Sequence, residues 1–471
     1  SNIIAQPSLN NMENWIEEIS EIVLESKHEK YGRYVGSSGE QEAKNLIIDI
    51  MNSIGFDEVI EDEILINSLK IHDRKEWSLT VNIDGEDPII VSEIEMFPFP
   101  SKNPLTPNFN IIEDAKVYLL ENDCPSIQGP KVDLIIMKEE WEDKFSILQD
   151  EVEKSINNGA NGFLLADWQD DTFFMFPSFC PTESSGSGIS IKGSLGQQIL
   201  ENINESNDVF IDYSIETEMF DSEVDTYNVE AKIDVEGTDE KIVVGAHYDG
   251  WFNQATIDNA AGVGMLLGIA EDIINQDDLD LKYDIEFVAL GAHEECVGGN
   301  NFKRTGYQGS KWYFYKHLTP DPENPEDPDY KYEDIKYIII IDEVAQDVTD
   351  SFLRIDSINP KLDNRIETII DENYPNFNYK QTILKLPPFD ASWFPLKSIF
   401  FSRDPFPDYH RSGNEHQLGD TKDKLDNSTG GYLITTADIL SKFIVSLSEN
   451  PPGKIFASID ADDEGVIGEN V

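Results

Sequence analysis

A chain of 471 residues is long enough for two or three domains, and a 39% share of hydrophobic residues supplies them with sizeable cores. Its 92 Asp and Glu against 35 Lys and Arg leave a net charge of −57; such a charge repels phosphate and excludes nucleic acid as a partner. Carboxylate self-repulsion also weakens a compact fold unless salt screens it, so a saline habitat is the expectation. No apolar run reaches the roughly 18 residues of a transmembrane helix, and the N-terminus lacks a charged-then-apolar signal segment. The given chain reads as a trimmed mature form, extracellular or at the cell surface.

In chain order, the first helix is expected near Met12–Ser26. A second places Ala43, Leu46, Ile47, Ile50, Met51 and Ile54 on one face, the three-and-four spacing of an amphipathic helix, and Gly55 suits the left-handed position after its end. The Pro-rich passage 97–107 is expected to break regular structure near a domain boundary. Beyond it the spacing predicts a strand over Lys131–Met137, a helix over Phe145–Asn157, a Gly/Asn turn and a strand over Phe163–Ala166. A closing strand and helix follow from Ser187. Strand-like runs then lead into His247, into Glu294-Glu295 and into Asp342, with a helix expected from Asp258 through Ile274. The prolines between Leu318 and Asp334 prevent helix or central strand, and residues 453–471 form an acidic, aperiodic tail.

The strand exits carry the chemistry. His247, Asp258, Glu295, Asp342 and His416 are metal-ligand types, with Glu294 beside the third. In an open α/β sheet, side chains beyond the carboxyl ends of the strands converge on one crevice. Imidazole nitrogen and carboxylate oxygen suit zinc, and a catalytic ion keeps a position open for water or substrate. Two ions about 3.5–4 Å apart can share a carboxylate and a water, which then loses a proton near neutral pH. A further carboxylate must take that proton and deliver it to a leaving group; Glu294 is the candidate. Taken singly, a His-x-Asp or a Glu-Glu pair means little in so acidic a chain. The ordered set carries the weight.

These residues resemble the co-catalytic zinc aminopeptidases and their relatives, glutamate carboxypeptidase and the transferrin receptor. The resemblance rests on Ile242-Val-Val-Gly-Ala-His-Tyr-Asp, Ile257-Asp-Asn-Ala-Ala-Gly-Val, Ala292-His-Glu-Glu and His416-Gln-Leu-Gly-Asp-Thr, and it extends over most of the chain. It implies a mixed, mostly parallel sheet sandwiched by helices, and two Zn2+ ions. His247 and Asp342 would hold one ion, Glu295 and His416 the other, with Asp258 bridging. It further implies Glu294 as general base acting on a metal-bridged water, Asp249 as the carboxylate that orients His247, and a cis peptide at Asp258–Asn259. His416 is preferred over His410 because it stands four residues before Asp420-Thr421. The implied activity is that of an aminopeptidase acting on peptide substrates.

Residues 87–221 resemble the protease-associated α/β domain that some members insert, which leaves 1–86 and 222–452 as the catalytic domain. One departure is Ala255-Thr256-Ile257, where the family often has Gly-Ala before the bridging Asp. Two other functions stand beside the first: a carboxypeptidase of the glutamate-carboxypeptidase type, disfavoured by dispersed arginines, and a non-catalytic receptor, disfavoured by the intact ligand set. Trp251, Phe252, Phe389, Trp393 and Phe394 stand near the motifs and could line a specificity pocket, although core packing is the commoner use. Cys124, Cys180 and Cys296 are too few for a disulfide scaffold; pairing of the first two stays open.

Overall fold

The structure is a computed structural model that describes residues 7–22, 32–92, 96–99, 108–120, 129–138, 144–167, 187–250, 254–276, 278–294, 307–318, 334–344, 352–357, 359–382, 390–391, 397–404, 420, 425 and 432–451. Helix α1 spans Leu9–Ser20, shorter than expected: Ser8 caps it by accepting from the Asn11 amide, and Glu21 ends it. Helix α2 spans Ser38–Ile54. The Ser37 hydroxyl accepts from the Glu40 amide while the Glu40 carboxylate accepts from the Gly36 amide at 2.6 Å, the reciprocal logic of a capping box. At its other end Gly55 takes φ +108°, a conformation that favours glycine, and its amide returns to the Met51 carbonyl.

The fourteen strands among the described residues join in one hydrogen-bonded network. Three of them, β9 (Lys241–His247), β10 (Asp284–Leu290) and β11 (Ile335–Ile341), lie side by side and parallel, with β9 between the other two. All three are nearly fully buried, which accounts for their continuous apolar sequences. Strand β14 (Ser398–Asp404) extends the parallel group beside β11, and β12 (Phe352–Ser357) follows antiparallel to it. On the other side β10 pairs antiparallel with β8 (Val209–Ile233).

Strands β1 (Val59–Ile83) and β8 are 25 residues each and pair antiparallel almost end to end. They run through two packed regions. Val229 and Ala231 of β8 join a large core with α1, α2, β9, β10, β11 and the helices α5 (Ala261–Ile274) and α8 (Tyr432–Glu449). Trp77, Leu79, Val81, Ile211 and Ile215 belong instead to a second core. That core includes β5 (Lys131–Ile136), β6 (Gly162–Ala166), β7 (Ser187–Ile191) and α4 (Gly193–Asn204). The cores change over inside the paired arms, so Trp77–Ile83, placed within 1–86 by sequence, packs with the second core.

Other expectations shift by local chemistry. Met96–Phe99 forms β3, an antiparallel partner of β7 at the end of the sheet. Pro98 is tolerated there because an edge position does not require its missing N–H. The helix expected from Asp258 begins only at Ala261, after a wide turn over Thr256–Ala260. Helix α3, Lys144–Asn157, agrees with its expected span within one residue. The Pro-rich loop at 319–333, the tail and all three cysteines lie outside the described residues, as do Trp251, Phe252, Phe389, Trp393 and Phe394. Among the described residues no helix is long and apolar enough to cross a membrane.

Candidate metal centre

Because β9, β10 and β11 are parallel and adjacent, their carboxyl ends open on one edge. His247 is the last residue of β9, Asp342 follows β11, and Glu294 follows the turn after β10. Asp258 reaches the same point from the wide turn after β9. His247 Nε2 lies 3.0 Å from Asp258 Oδ1 and 3.2 Å from Asp342 Oδ1. His247, Asp258 and Glu294 offer donor atoms within 4.8 Å of one another, as do Asp258, Asp342 and Glu343. His247, Asp249, Asp258 and Asp342 are all buried.

The donor set fits a divalent cation. His247 Nδ1 lies 3.2 Å from the Asp249 carbonyl oxygen, and a proton on that nitrogen donates there. The Nε2 lone pair would then face two carboxylate oxygens, an arrangement that requires a proton or a cation between them. Burial opposes a charged His247, but Asp342, Asp249 and Asp258 outweigh it and hold the imidazole well above its ordinary range. Burial raises the Asp342 carboxyl against the pull of His247. Carboxylates outnumber cations around the site, which suits hard or borderline metal ions.

Left-handed residues stand beside Asp258, Glu294 and Asp342. Ala255, Ala292 and Glu343 each have φ between +43° and +51°, a left-handed conformation uncommon for residues with a side chain and enriched at functional sites. Ala255 answers the departure noted in the sequence: it adopts the left-handed bend without glycine. Its carbonyl is held by Arg33 Nη2 at 3.0 Å. The Asp258–Asn259 peptide is cis.

The next layer of residues went largely unread. Arg33 is fully buried, and its guanidinium donates to the carbonyls of Tyr248 (2.8 Å), Gln254 (2.8 Å), Ala255 and Ile19 (3.2 Å). Burial lowers it to about 10, against the pull of Asp420, Asp249, Asp258 and Glu294, so it is cationic at neutral pH. Gly250 permits this approach, since a Cβ there would stand 2.6 Å from the Ala255 Cβ and 3.2 Å from Arg33 Nη2. Asp420, read only as part of a closing motif, accepts from the Ile257 amide at 2.6 Å and the Asp258 amide at 3.2 Å. Burial pushes it up to about 7. Asn259 donates to the Ile341 carbonyl at 2.9 Å and accepts from Gly262 and Glu343 amides, tying the Asp258 turn to the exit of β11.

Asp249 accepts from the His293 amide at 3.0 Å and the Glu294 amide at 2.9 Å, and its Oδ1 stands 3.6 Å from His247 Nδ1. One carboxylate thus faces the histidine and fixes the turn that carries Glu294. His293 and Glu343 also face the cluster and were missed; each is a direct chain neighbour of a recognised residue, which is the signal that could have found them. Glu295, His416 and His410 lie outside the described residues.

Residues 228–393 match the model of peptidase family M28. No curated protein matches the chain with significance. Among solved structures the chain is similar to BSAP, a zinc aminopeptidase from Bacillus subtilis: 15% identity, TM-score 0.64, covering 95% of this chain and 97% of that one. It is likewise similar to the peptidase M28 precursor from Shewanella amazonensis SB2B: 17% identity, TM-score 0.68, 94% of each chain. The aminopeptidase from Aneurinibacillus sp. strain AM-1 gives 18% identity and TM-score 0.57 over 94% of each chain. At these identities the likeness speaks for the fold. The match to the peptidase family M28 model thus spans residues 228–393, which contain His247, Asp258, Glu294 and Asp342, within an α/β fold similar to that of these zinc aminopeptidases.

Proposed function

We propose that the protein is a zinc-dependent exopeptidase, an aminopeptidase that removes N-terminal residues from peptides. The observation that carries this reading is the convergence of His247, Asp258 and Asp342, with Glu294 alongside, at the common end of three parallel strands. His247 and Asp342 would hold one ion and Glu295 and His416 a second, with Asp258 as a carboxylate available to both. Metal held by these residues would supply Lewis acidity, polarising a carbonyl and lowering the pKa of water toward neutrality. Glu294, whose carboxylate shares the cluster with His247 and Asp258, takes the proton from the attacking water and returns it to the leaving amine. Asp249 keeps the Glu294 turn in place through two backbone amides. Arg33 holds the carbonyls of Gln254 and Ala255 and Asp420 the amides of Ile257 and Asp258, and together they set the Asp258 turn.

Glu294→Gln separates chemistry from binding. It should retain zinc and lose turnover by about 10²–10⁴-fold, the usual worth of general acid–base catalysis. Metal analysis beside a peptide panel with free, N-acetylated or C-amidated ends checks it. Near-normal turnover in the variant removes Glu294 as base, and cleavage that survives N-acetylation but not C-amidation replaces the aminopeptidase with a carboxypeptidase.

A further inference from the structure

Next to the metal ligand His247 lies a second histidine that the proposed chemistry does not use. The His293 ring stacks on the His247 ring with centroids 3.8 Å apart and planes within 10°. It is held from behind. Asp390 Oδ2 is 2.6 Å from His293 Nδ1, and Ser310 Oγ donates to Asp390 Oδ1. Tyr307 meets the ring edge-on at 4.7 Å, and the His293 amide is fixed by Asp249. His293, Asp390 and Ser310 are buried.

We propose that the chain Ser310–Asp390–His293 positions the imidazole of His247, with His293 acting as a flat buttress that sets the ring plane of that ligand. The idea rests on the metal site proposed above. His293, His247 and Asp342 offer donor atoms within 4.8 Å of one another, so direct ligation by His293 is the competing role, and the geometry decides against it. An ion bound at Nε2 lies in the plane of the His247 ring, and in so flat a stack that plane stands a full ring thickness from His293. A zinc–nitrogen bond is only about 2.0–2.1 Å. The stack instead removes rotation of His247 about its Cβ–Cγ bond, so that Nε2 stays aimed between Asp258 and Asp342. Asp390 gives the buttress its fixed orientation, and Ser310 fixes Asp390.

The test is zinc affinity by chelator competition on the full chain, with the visible spectrum of the cobalt-loaded protein as a second readout of ligand geometry. His293→Ala should weaken one of the two ions by about 10–100-fold, the range seen when the support of a ligating histidine is removed, and should alter the cobalt spectrum. The double variant His293→Phe with Asp390→Asn restores a flat ring without a nitrogen and leaves no lone buried charge; it should recover affinity and spectrum. Ser310→Ala should weaken the same ion and spare the other. Unchanged affinity and spectrum in His293→Ala overturn the proposal. A folded double variant that loses the ion as fully as His293→Ala overturns it too, because His293 would then be a ligand. If the double variant does not fold, Ser310→Ala decides, and no effect there overturns the relay. Wild-type protein that binds no zinc defeats the metal-site reading instead.

Discussion

Arg33 shows how much of the site depends on a residue far from the ligands in sequence. Its guanidinium donates to the backbone carbonyls of Ile19, Tyr248, Gln254 and Ala255, the last of which also accepts from the Ala260 amide. Its charge also faces Asp249, Asp258, Glu294 and Asp420. Removing it takes a charged donor from these carbonyls, at about 1–3 kcal/mol for a buried acceptor left unsatisfied, and leaves buried carboxylates without a counter-charge. Arg33→Met should therefore destabilise the protein by about 3 kcal/mol or more, read from the denaturant midpoint and slope. A wild-type midpoint would mean that the loop before Asp258 holds itself. His247, Asp258 and Asp342 were legible as candidates because few side-chain types suit a metal; Arg33 was not, because nothing in its neighbours announces a partner more than 200 residues away.

At the scale of elements, period and punctuation carried far. Helix α2 and strands β9, β10 and β11 could be read from apolar spacing, continuous apolar runs and a stop glycine, since those signals are local. The start of α5 could not, because Asp420 and Asn259 draw the backbone of 256–260 out of regular helix through contacts across the molecule. A buried acid elsewhere gives a pH test free of the metal site. Asp363 lies near the start of α7 (Pro360–Asn373), with Oδ1 buried and lacking a hydrogen-bond partner. Burial raises its carboxyl to about 6, with Asp356 and Glu367 adding to the shift and Ser357 opposing it. A folded-state value above the ordinary 3.8 means that the native state binds the proton more tightly, so this stability is present below about pH 4 and is lost as pH rises through 6. Asp363→Asn does not titrate. Its thermal midpoint relative to wild type should climb between pH 4 and pH 7.5, and a constant difference would discount the effect.

Over the whole molecule, charge dominates. A net charge of −57 places carboxylates near one another on any compact surface, and the two cores must hold against that repulsion. Added salt shortens the Debye length from about 30 Å at 0.01 M to about 3 Å at 1 M, so thermal midpoints should rise across that range. A flat or falling midpoint would remove the saline reading.

By itself the sequence determined the order of His247, Asp258, Glu294 and Asp342 after strand-like runs and turns, and the α/β character of the chain, because both are written in local patterns of polarity. The tertiary structure decided the rest. It alone placed the change of core inside the paired β1 and β8 arms, since two antiparallel strands can pass between cores without a break in pattern. It alone brought His293, Asp390 and Ser310 to the back of His247, and Arg33 and Asp420 to the Asp258 turn. Such residues act through distance and hydrogen-bond geometry, which fixed spacing along the chain does not encode.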